Sequence, residues 1–493
     1  MKAYQKVAEL AAELAVIQSA GAVLGWDQET YLPARAVEHR ARQLAWLGTR
    51  GHALATSARF EKALEAAEAQ VADLDERQQA NVKQWRWRME RARKLPAKLV
   101  AEESEVTSRA KAAWAEARRG SDFSQFAPHL ERVLDLARRK ADRWGWQSEP
   151  YDALLEEYER GARTAQVAAL FERLRPELAE IGQAAVERSR QRTMKRLPGS
   201  FPIEQQQILN REVAESLGFD FAAGRIDTTT HPFCTTLGPA DVRLTTRYNE
   251  ADFLSSLFGV LHETGHGLYE QGLVAAEFGL PSGEAVSLGI HESQSRLWEN
   301  HVGRSEAFWA RWFPRAAELF PRLRKVKLED FMGLVHRSEF SFIRVEADEA
   351  TYDLHILLRF GLERKMVAGE LAVADVPEAW NAEFEALFGM RPPDAAHGCL
   401  QDIHWSMGGI GYFATYTLGN LNAAQLYAAA LRRKTVARAV EQADYAPLLG
   451  WLQKNVHQAG GVYDPNDLMQ RATGSATNAK WHLAHLRRRY VGA

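Results

Sequence analysis

The stretch Phe253–Gly272, FLSSLFGVLHETGHGLYEQG, constrains the fold of this chain more than any other part of its sequence. Its first nine residues are apolar apart from two serines, and such a run predicts a helix that is buried in the core. His262 and His266 follow at a spacing of four, so a helix places both imidazoles on one face, one turn apart. This arrangement predicts that the two histidines bind one metal ion.

Glu263 directly follows the first of these histidines, which completes an H-E-x-x-H pattern. In a zinc hydrolase of this type, the glutamate acts on a metal-bound water as a general base without ligating the metal. The pattern arises by chance in roughly one chain in a hundred of this length, so other motifs must support it. The extended metzincin pattern is excluded, because Tyr269 and Gly272 stand where it requires Gly and His.

A catalytic zinc takes three protein ligands and keeps one position open, so another element must supply the third ligand. Glu270 is excluded, because it lies eight residues from the first histidine, about 12 Å along the helix axis. We predict a second helix that starts at Ser282 as its N-cap and carries Glu292 in its middle. Glu292 would complete a His/His/Glu site, and Glu284 and Glu299 remain alternatives near the two ends of that helix.

The composition narrows the classes of partner and the compartment. Lys and Arg total 62 against 64 for Asp and Glu, so there is no basic excess that would favour nucleic-acid binding. Cys234 and Cys399 match no metal-finger spacing, which favours a reduced, cytoplasmic location. We expect no membrane partner, because Glu9, Glu13 and Gln18 interrupt the N-terminal apolar pattern and no apolar run approaches roughly 18 residues.

Helical periodicity along most of the chain predicts a mainly α protein. The stretch 226–248 differs, because it is rich in threonine and turn residues and partly alternates, which predicts a small hairpin or sheet just before the metal helix. We expect 26–33 to be an ordered loop. The chain is predicted to form a single domain, 1–493, with an N-terminal lobe 1–197 and a catalytic lobe 203–493.

Two arginines have both a structural and a functional interpretation. Arg243 could form an edge-strand ion pair with Asp241, or it could bind an anionic substrate group through two hydrogen bonds. Arg344 follows an aromatic run in a segment that reads as buried, and a buried arginine needs a carboxylate partner. Glu346 or Asp348 is expected to be that partner, and substrate binding is the equal alternative.

Histidine and tyrosine residues outside the metal helix are further candidates. His231 precedes a proline and is more often a structural loop residue than a catalytic one. His404 could stabilise an oxyanion, and Asp402 could orient a metal-bound histidine. Tyr412 and Tyr416 lie where a glycine-rich segment leads into a helix, and either could donate a hydrogen bond to a tetrahedral intermediate.

Taken together, these motifs resemble those of the carboxypeptidase Taq family of thermostable zinc carboxypeptidases. The motifs occur in the family's order and span nearly the whole chain: HPF (231–233), DVRLT (241–245), HETGH (262–266) followed by HESQ (291–294), IRVEAD (343–348) and GCLQDIHW (398–405). LGWDQETYLP (24–33) also resembles the family's start, with Tyr31 where Met is expected. Ordered motifs of this number are far more specific than HETGH alone.

The resemblance implies a large helical peptidase fold with a deep active-site groove, related to angiotensin-converting enzyme and neurolysin-type peptidases. It implies a homodimer that removes single residues from peptides with a free C-terminus, with broad specificity. The metal would be Zn²⁺, with Co²⁺ able to support activity in some members. The implied ligands are His262, His266 and Glu292, and Glu263 is the implied general base.

The resemblance also implies roles for the residues of the remaining motifs. Arg243 and Arg344 would hold the terminal carboxylate of the substrate, in a substrate site that also includes His231 and Asp241. His404 falls where related helical peptidases place a donor to the transition state. A donor tyrosine should follow it by two or three helical turns, and the two tyrosines named above both fit.

Two alternatives to a carboxypeptidase stay open. One is an endo-oligopeptidase that uses the same metal site and cleaves peptides internally. The other is a metal-stabilised scaffold that binds peptides without turnover, although a purely structural zinc would close its fourth position with a further Cys or His. An aminopeptidase is disfavoured, because the chain has no G-x-M-E-N motif near the metal helix.

Overall fold

Most of the chain is helical in the computed structural model, which describes residues 2–192, 194 and 196–492. Within these residues the α-helices, numbered α1 to α20 in chain order, are Lys2–Thr30, Val37–Ala55, Ala58–Glu68, Glu76–Lys94, Ala97–Gly120, Phe123–Trp144, Tyr151–Tyr158, Thr164–Arg190, Ile203–Ser216, Phe253–Gly272, Leu288–Arg296, Glu306–Leu319, Leu328–Val335, Tyr352–Ala368, Val376–Phe388, Ala414–Leu431, Lys434–Glu441, Ala446–Asn455, Pro465–Thr473 and Lys480–Leu486. The predicted mainly α class is confirmed.

The chain folds into two compact units, and each is assembled from three chain segments. Unit 1 comprises Met1–Ala92, Met194–Leu334 and Asn422–Thr477, and unit 2 comprises Arg93–Thr193, Val335–Leu421 and Asn478–Ala493. The single domain with lobes 1–197 and 203–493 stays a prediction. The compact units divide the chain differently from these predicted lobes, because each unit consists of segments that are distant in sequence.

Unit 1 contains a small mixed sheet of strands β1 (Gly224–Thr228), β2 (Cys234–Gly238) and β3 (Asp241–Thr246). β3 lies in the middle, parallel to β1 and antiparallel to β2. The predicted small sheet before the metal helix is thereby confirmed. Helix α10 packs on β2 and β3, and Gly267 permits the close approach, since a Cβ there would lie 2.9 Å from the Leu244 side chain.

The first half of α10 is buried, as its apolar run predicts. Asp252 caps the helix, and its side chain accepts a hydrogen bond of 3.0 Å from the Leu254 amide. Phe253 then packs against the rings of Phe320 and Phe331, with centroid separations of 4.9 and 6.4 Å. Removing aromatic surface of this size from water contributes about 2 to 3 kcal/mol per side chain. This packing anchors the helix that carries HETGH.

The next helix, α11, begins later than predicted. Ser282 lies in a 3₁₀ turn, Pro281–Gly283, where its Oγ accepts a hydrogen bond from Asn81 and its amide donates one back. Because Ser282 forms these two buried hydrogen bonds with Asn81 and lies outside α11, the prediction that it caps the helix is wrong. Ser287 is the cap, and its side chain accepts from the Ile290 amide at 3.2 Å.

The N-terminal helix α1 is longer than predicted, because 26–30 continue it rather than forming a loop. Trp26 is buried, and Arg40 of α2 binds Asp27 at 2.7 Å, so tertiary contacts extend the helix through Thr30. The prediction of a loop over 26–33 is therefore wrong for its first part.

By length and composition alone, α1 is long and apolar enough to cross a membrane, and it is the one such helix among the described residues. The sequence predicted no such segment, because acidic residues such as Glu9 and Glu13 interrupt its apolar runs, whereas mean hydropathy averages over them. Core helices pass the same test. In this structure Val7 and Leu10 of α1 pack in one cluster with Phe60, Leu64 and Trp85 of the following helices.

The core of unit 2 surrounds α14, whose side chains from 352 to 360 are all buried. Phe360 packs edge-on against Phe171 and Tyr151 at centroid distances of 5.0 and 5.6 Å. The same helix also carries fully buried Arg359 and Glu363. Buried charged groups require partners, so α14 also forms polar contacts with other parts of unit 2.

Candidate metal centre and donor cluster

α10 and α11 bring three ligand atoms of unit 1 together. The Nε2 atoms of His262 and His266 lie 3.6 and 3.5 Å from Oε2 of Glu292. All three ligand atoms lie within 4.8 Å of one another. An ion held tetrahedrally at about 2.1 Å from each ligand would require separations of about 3.4 Å. The three residues therefore fit a four-coordinate divalent cation and leave one coordination position for water or substrate.

Gly265 sets the distance between the two helices. A Cβ at this position would lie 2.5 Å from the backbone oxygen of Gln294 and 2.6 Å from Cα of Ser295. Any larger residue would push α11, and Glu292 with it, away from the histidines. The glycine inside HETGH thus serves the geometry of the site as directly as the ligands do.

Glu299 fixes the orientation of the His262 ring, since its Oε2 lies 2.9 Å from Nδ1. This contact assigns the proton to Nδ1 and leaves the Nε2 lone pair for a metal. Burial opposes ionisation of Glu299, but Arg296 and His262 lower its pKa to about 2. Glu299 lies in a π-helical turn, Leu297–Val302. It contacts the ring nitrogen of His262 that does not face the metal position, so it orients this ligand and is not one of the three ligand residues.

His266 is oriented by a longer chain of hydrogen bonds. Its Nδ1 lies 2.5 Å from Nδ1 of His291, and Nε2 of His291 lies 2.8 Å from Oε1 of Glu270. Thr236 donates to the other oxygen of Glu270 at 2.7 Å. Glu270 is thus not a ligand, as the spacing argument concluded. The consistent proton assignment runs from His266 through His291 to Glu270 and again leaves Nε2 of His266 unprotonated.

Arg296 and Ser295 hold the carboxylate of Glu292. Arg296 donates to Oε1 at 2.7 Å, and Ser295 donates to Oε2 at 3.1 Å. Burial opposes ionisation, but Arg296 and the two ligand histidines hold the pKa of Glu292 well below its usual value. Oε2 therefore faces the histidines as an anionic oxygen. Glu284, which the sequence left as an alternative third ligand, instead forms an ion pair with Arg88 at 2.6 Å.

Glu263 has the properties of a base. Its side chain is buried, and within the described part of the chain Oε2 has no hydrogen-bond partner. Burial raises its pKa to about 7. A buried acceptor without a donor is costly, so a water or substrate proton is the natural partner.

The two ligand histidines differ electrostatically in the absence of a cation. Burial alone lowers the pKa of His262, but Glu292, Glu299 and Glu263 raise it to about 9. Burial lowers the pKa of His266 to about 3. A proton on His262 thus balances the carboxylates, and a divalent cation in the same place would satisfy the same acceptors.

In unit 2, Arg344 is buried and paired, as expected, but with a different carboxylate. Its Nε and Nη2 donate to Oδ1 of Asp402 at 3.0 and 2.7 Å, and its Nη1 donates to Tyr352 at 2.8 Å. The expectation of Glu346 or Asp348 as partner is wrong. Asp348 accepts bonds from nearby backbone amides, and Glu346 points to solvent from the turn Arg344–Glu346.

Asp402 binds a second arginine. Its Oδ2 accepts from Nε of Arg359 at 2.7 Å, so each oxygen serves one guanidinium. Burial opposes ionisation, but Arg344 and Arg359 hold the pKa of Asp402 far below its usual value. The structure thus commits Asp402 to the arginines, not to the suggested role of orienting a histidine on the metal.

His404 and the two candidate tyrosines form one cluster in unit 2. Nε2 of His404 lies 3.2 Å from the hydroxyl of Tyr416, and the ring of Tyr412 lies 5.2 Å from the imidazole. The tyrosine rings are 5.4 Å apart. Burial lowers the pKa of His404 to about 4, so the imidazole is neutral and can donate through one nitrogen.

Arg243 forms the ion pair with Asp241 that the structural interpretation gave, but β3 is the central strand of the sheet and not the expected edge strand. Its Nε and Nη2 bind the two oxygens of Asp241, each at 2.8 Å, and its guanidinium lies 4.1 Å from the ring centre of Trp26. His231 lies exposed in the loop between β1 and β2. Substrate contact by these residues stays a prediction.

Sequence reasoning missed several residues that support the site. Glu270 lies four residues after the second ligand on the same helix face, and His291 belongs to the HESQ motif, so both carried a signal. Arg296 follows Glu292 at a spacing of four, which places it on the same helix face. Arg359 stands in the apolar stretch LHILLRFGL, where an isolated charge indicates a buried ion pair.

A buried helix with H-E-x-x-H, an acidic residue from the following helix and an unpartnered glutamate define a metallopeptidase of the H-E-x-x-H class. Residues 6–490 match the family model for carboxypeptidase Taq (M32) metallopeptidases. The chain therefore belongs to the carboxypeptidase Taq (M32) family, and the predicted resemblance is confirmed.

Relatives and solved structures agree with this assignment. The chain is 42% identical to thermostable carboxypeptidase 1 of Thermus thermophilus over 99% of this chain and 98% of the relative. It is 36% identical to carboxypeptidase 1 of Bacillus subtilis, over 95% and 94%. It superposes on the crystal structure of the M32 carboxypeptidase from Deinococcus radiodurans R1 with a TM-score of 0.97, at 42% identity and full coverage of both chains.

These comparisons identify the enzyme class as metallocarboxypeptidase, a hydrolase acting on the C-terminal residues of peptides. They favour this class over the endo-oligopeptidase and over the scaffold without turnover. A metallopeptidase of this family implies a divalent metal, and the cluster of His262, His266 and Glu292 is the site in unit 1 that fits it.

Proposed function

We propose that this enzyme is a zinc carboxypeptidase of broad specificity that removes single residues from peptides with a free C-terminus. The observation that carries the proposal is the convergence of two Nε2 atoms and one carboxylate oxygen at tetrahedral spacing. Two nitrogen ligands and one oxygen ligand suit Zn²⁺, and Co²⁺ accepts the same donors. When bound, the metal polarises the scissile carbonyl and lowers the pKa of water.

Glu263 takes the proton from the attacking water and returns it to the leaving amine. The unpartnered Oε2 and a pKa of about 7 support this role, because a base near the working pH can both accept and release the proton. Glu299 and the chain from His291 to Glu270 keep the ligand histidines in the tautomer that presents Nε2.

His404 and a tyrosine donate hydrogen bonds to the oxyanion as it forms. Neutral donors suit this role, because they stabilise developing charge without holding the product. Tyr416 is the stronger candidate, since its hydroxyl contacts His404, and Tyr412 in the same cluster is the alternative.

Arg344 is proposed to attract the terminal carboxylate of the substrate. It shares a single aspartate, Asp402, with Arg359, so this group of three side chains has a surplus of one positive charge. Arg243, together with Asp241 and His231, is the second proposed contact for the substrate. A carboxylate bound by arginine gains specificity from paired hydrogen bonds.

We further propose a homodimer in the cytoplasm that binds neither nucleic acid nor membranes. Val16 of α1 and Trp46 of α2 are large apolar side chains that are more than half exposed, and contact with a second copy of the chain would remove them from water. The free thiols of Cys234 and Cys399 support a reduced compartment. Light scattering of the purified protein, with and without lipid vesicles, tests the dimer and the absence of membrane binding.

The decisive experiment follows a peptide of about ten residues by mass spectrometry in the presence of the purified enzyme. A ladder that shortens by one residue at a time from the C-terminus, stops with a chelator and resumes with zinc or cobalt supports the proposal. The same peptide with a C-terminal amide is the matched control. Internal fragments, or equal cleavage of the amide, would overturn the carboxypeptidase mechanism in favour of an endopeptidase.

A further inference from the structure

The segment of unit 2 that carries His404 and Tyr412 has an irregular backbone. It contains a 3₁₀ turn, His404–Met407, followed by Gly408 and Gly411 with φ values of 78° and 95°. A Cβ on Gly411 would lie 2.8 Å from the backbone carbon of Leu154. The segment's internal backbone hydrogen bonds are those of short turns, such as Gly409 to His404 at 2.9 Å, so contacts with other elements fix its position in unit 2.

Those contacts converge on Glu363 in α14, which is fully buried. Its Oε1 accepts from the indole of Trp405 at 2.8 Å, and its Oε2 accepts from the amide of Gly411 at 3.1 Å. Tyr151 donates to the same Oε2 at 2.6 Å. Trp405 is the neighbour of His404, and Gly411 is the neighbour of Tyr412. The carboxylate thus binds the segment directly beside His404 and directly beside Tyr412.

We propose that Glu363 is a positioning residue, whose buried carboxylate fixes the segment 404–412 and thereby sets the places of His404 and Tyr412. This inference rests on the proposed function, in which His404 and a tyrosine act on the transition state. It assigns to Glu363 a role in the reaction although it touches neither substrate nor metal.

Helix α14 holds the segment at a further point. Arg359 precedes Glu363 by one helical turn and binds Asp402, two residues before His404. The same helix face therefore binds the segment at positions 405 and 411 and the chain just before it at position 402. A helix that is buried from Tyr352 to Phe360 and again at Glu363 is a suitable template for groups that must stay within a fraction of an ångström.

The electrostatics of Glu363 indicate that its role is specific. Burial raises its pKa to about 7, so the fold bears a cost for keeping an ionisable group at this depth. An apolar side chain of similar size would avoid that cost but could not accept hydrogen bonds. Trp405 and Gly411 can act only as donors here, so an acceptor with two oxygens is the group that satisfies both and Tyr151 as well.

The test compares Glu363→Gln with a matched control, Glu349→Gln. Glu349 is also a buried acid of unit 2 that accepts from three side chains, His485, Arg489 and Tyr490, at 2.7 to 2.9 Å. For each holoenzyme, kcat, KM, Tm and metal content are measured with an unblocked peptide. Glu363→Gln should lower kcat by about 10- to 100-fold, with KM within about threefold and metal content unchanged.

Glu349→Gln should lower Tm at least as much as Glu363→Gln and keep kcat within about twofold. If both variants lose kcat in proportion to their loss of Tm, or if Glu363→Gln retains normal kcat, the proposal is overturned. If Glu363→Gln does not fold, Glu363→Asp replaces it. That variant keeps the carboxylate but shortens its reach, so it should lower kcat while it folds, and normal kcat would again overturn the proposal.

A rescue variant separates positioning from stability. In Glu363→Gln the amide NH₂ must face a donor, either the indole of Trp405 or the amide of Gly411. Trp405→Phe removes the first conflict, so the double variant should show a higher kcat than the product of the two single effects predicts. Strict additivity would overturn the proposal. The activity of the wild-type enzyme distinguishes failure of this proposal from failure of the proposed function. If the wild type removes no C-terminal residue, the proposed function is refuted, independently of the results for the Glu363 variants.

Discussion

The metal centre of unit 1 and the donor cluster of unit 2 are opposite in charge and in construction. The metal centre gathers carboxylates, Glu263, Glu270, Glu292 and Glu299, around two ligand histidines. The donor cluster instead places arginines around a single aspartate, with a neutral histidine and tyrosines beside them. One environment selects a cation, and the other suits an anionic substrate group or a developing oxyanion.

The two regions also differ in how they are held. The metal ligands come from two consecutive helices, and Gly265 permits their close approach. His404 and Tyr412 come from an irregular segment that depends on α14, about 40 residues earlier in sequence, for its position, whereas Tyr416 lies in the regular helix α16. Local helix geometry therefore explains the first region, whereas buried long-range polar contacts explain the second.

The largest expected effect tests the base of the metal centre. Glu263→Gln should lower kcat by about 10² to 10⁴-fold, because the amide cannot accept the proton of the attacking water. Metal content by atomic spectroscopy should stay at one ion per chain. Glu284→Gln, at a half-buried glutamate that pairs with Arg88, is the control and should turn over normally. Normal turnover by Glu263→Gln would show that the base lies elsewhere.

The next largest effect tests Glu299 and Glu270, the carboxylates that orient the two ligand histidines. Glu299→Gln should weaken metal affinity by about 10- to 100-fold, since the carboxylate that orients His262 becomes a neutral amide. Glu270→Gln should weaken it less, because His291 stands between Glu270 and the ligand. Competition with a chromogenic chelator measures both. Equal affinities of wild type and Glu299→Gln would remove the orienting role.

A smaller effect tests the positive charge of the donor cluster. Arg344→Met should reduce kcat/KM by about tenfold for peptides with a free C-terminus, since a charge-assisted contact is lost. Residual cleavage of the amidated peptide should hardly change. Arg337→Met, at an arginine that pairs with Glu339 nearer the surface, is the control. A parallel loss on both peptides would indicate that Arg344 supports structure and not recognition of the carboxylate.

The smallest effect is the pH dependence of stability contributed by Glu363. Its pKa is raised from 4.5 to about 7 in the folded state, so between these values the folded state binds more protons than the unfolded state. The contribution is complete below pH 4.5 and is lost as pH rises through 7. Wild type should therefore exceed Glu363→Gln in Tm by more at pH 5 than at pH 8, by roughly a few degrees. A constant difference in Tm would contradict this assignment.

Much of the fold was predictable because it depends on local patterns. The apolar run before HETGH, the threonine-rich stretch before it and the helical periodicity each led to the observed element. Errors occurred where a tertiary contact overrode a local signal. Ser282 forms hydrogen bonds with Asn81, and Ser287 caps α11 in its place. Arg40 binds Asp27, and α1 continues past its expected end.

The sequence by itself determined the helical class and the spacing of two histidines on one helix face, because these follow from helix geometry, and it left Glu284, Glu292 and Glu299 as candidates for the third ligand. Only the tertiary structure decided which carboxylate pairs with Arg344, which groups stand behind the ligands and how α14 holds the donor segment. Those pairings join residues that are distant in the chain. Burial makes them obligatory, because a charge removed from water must find a partner, but the spacing of residues in sequence does not reveal which one.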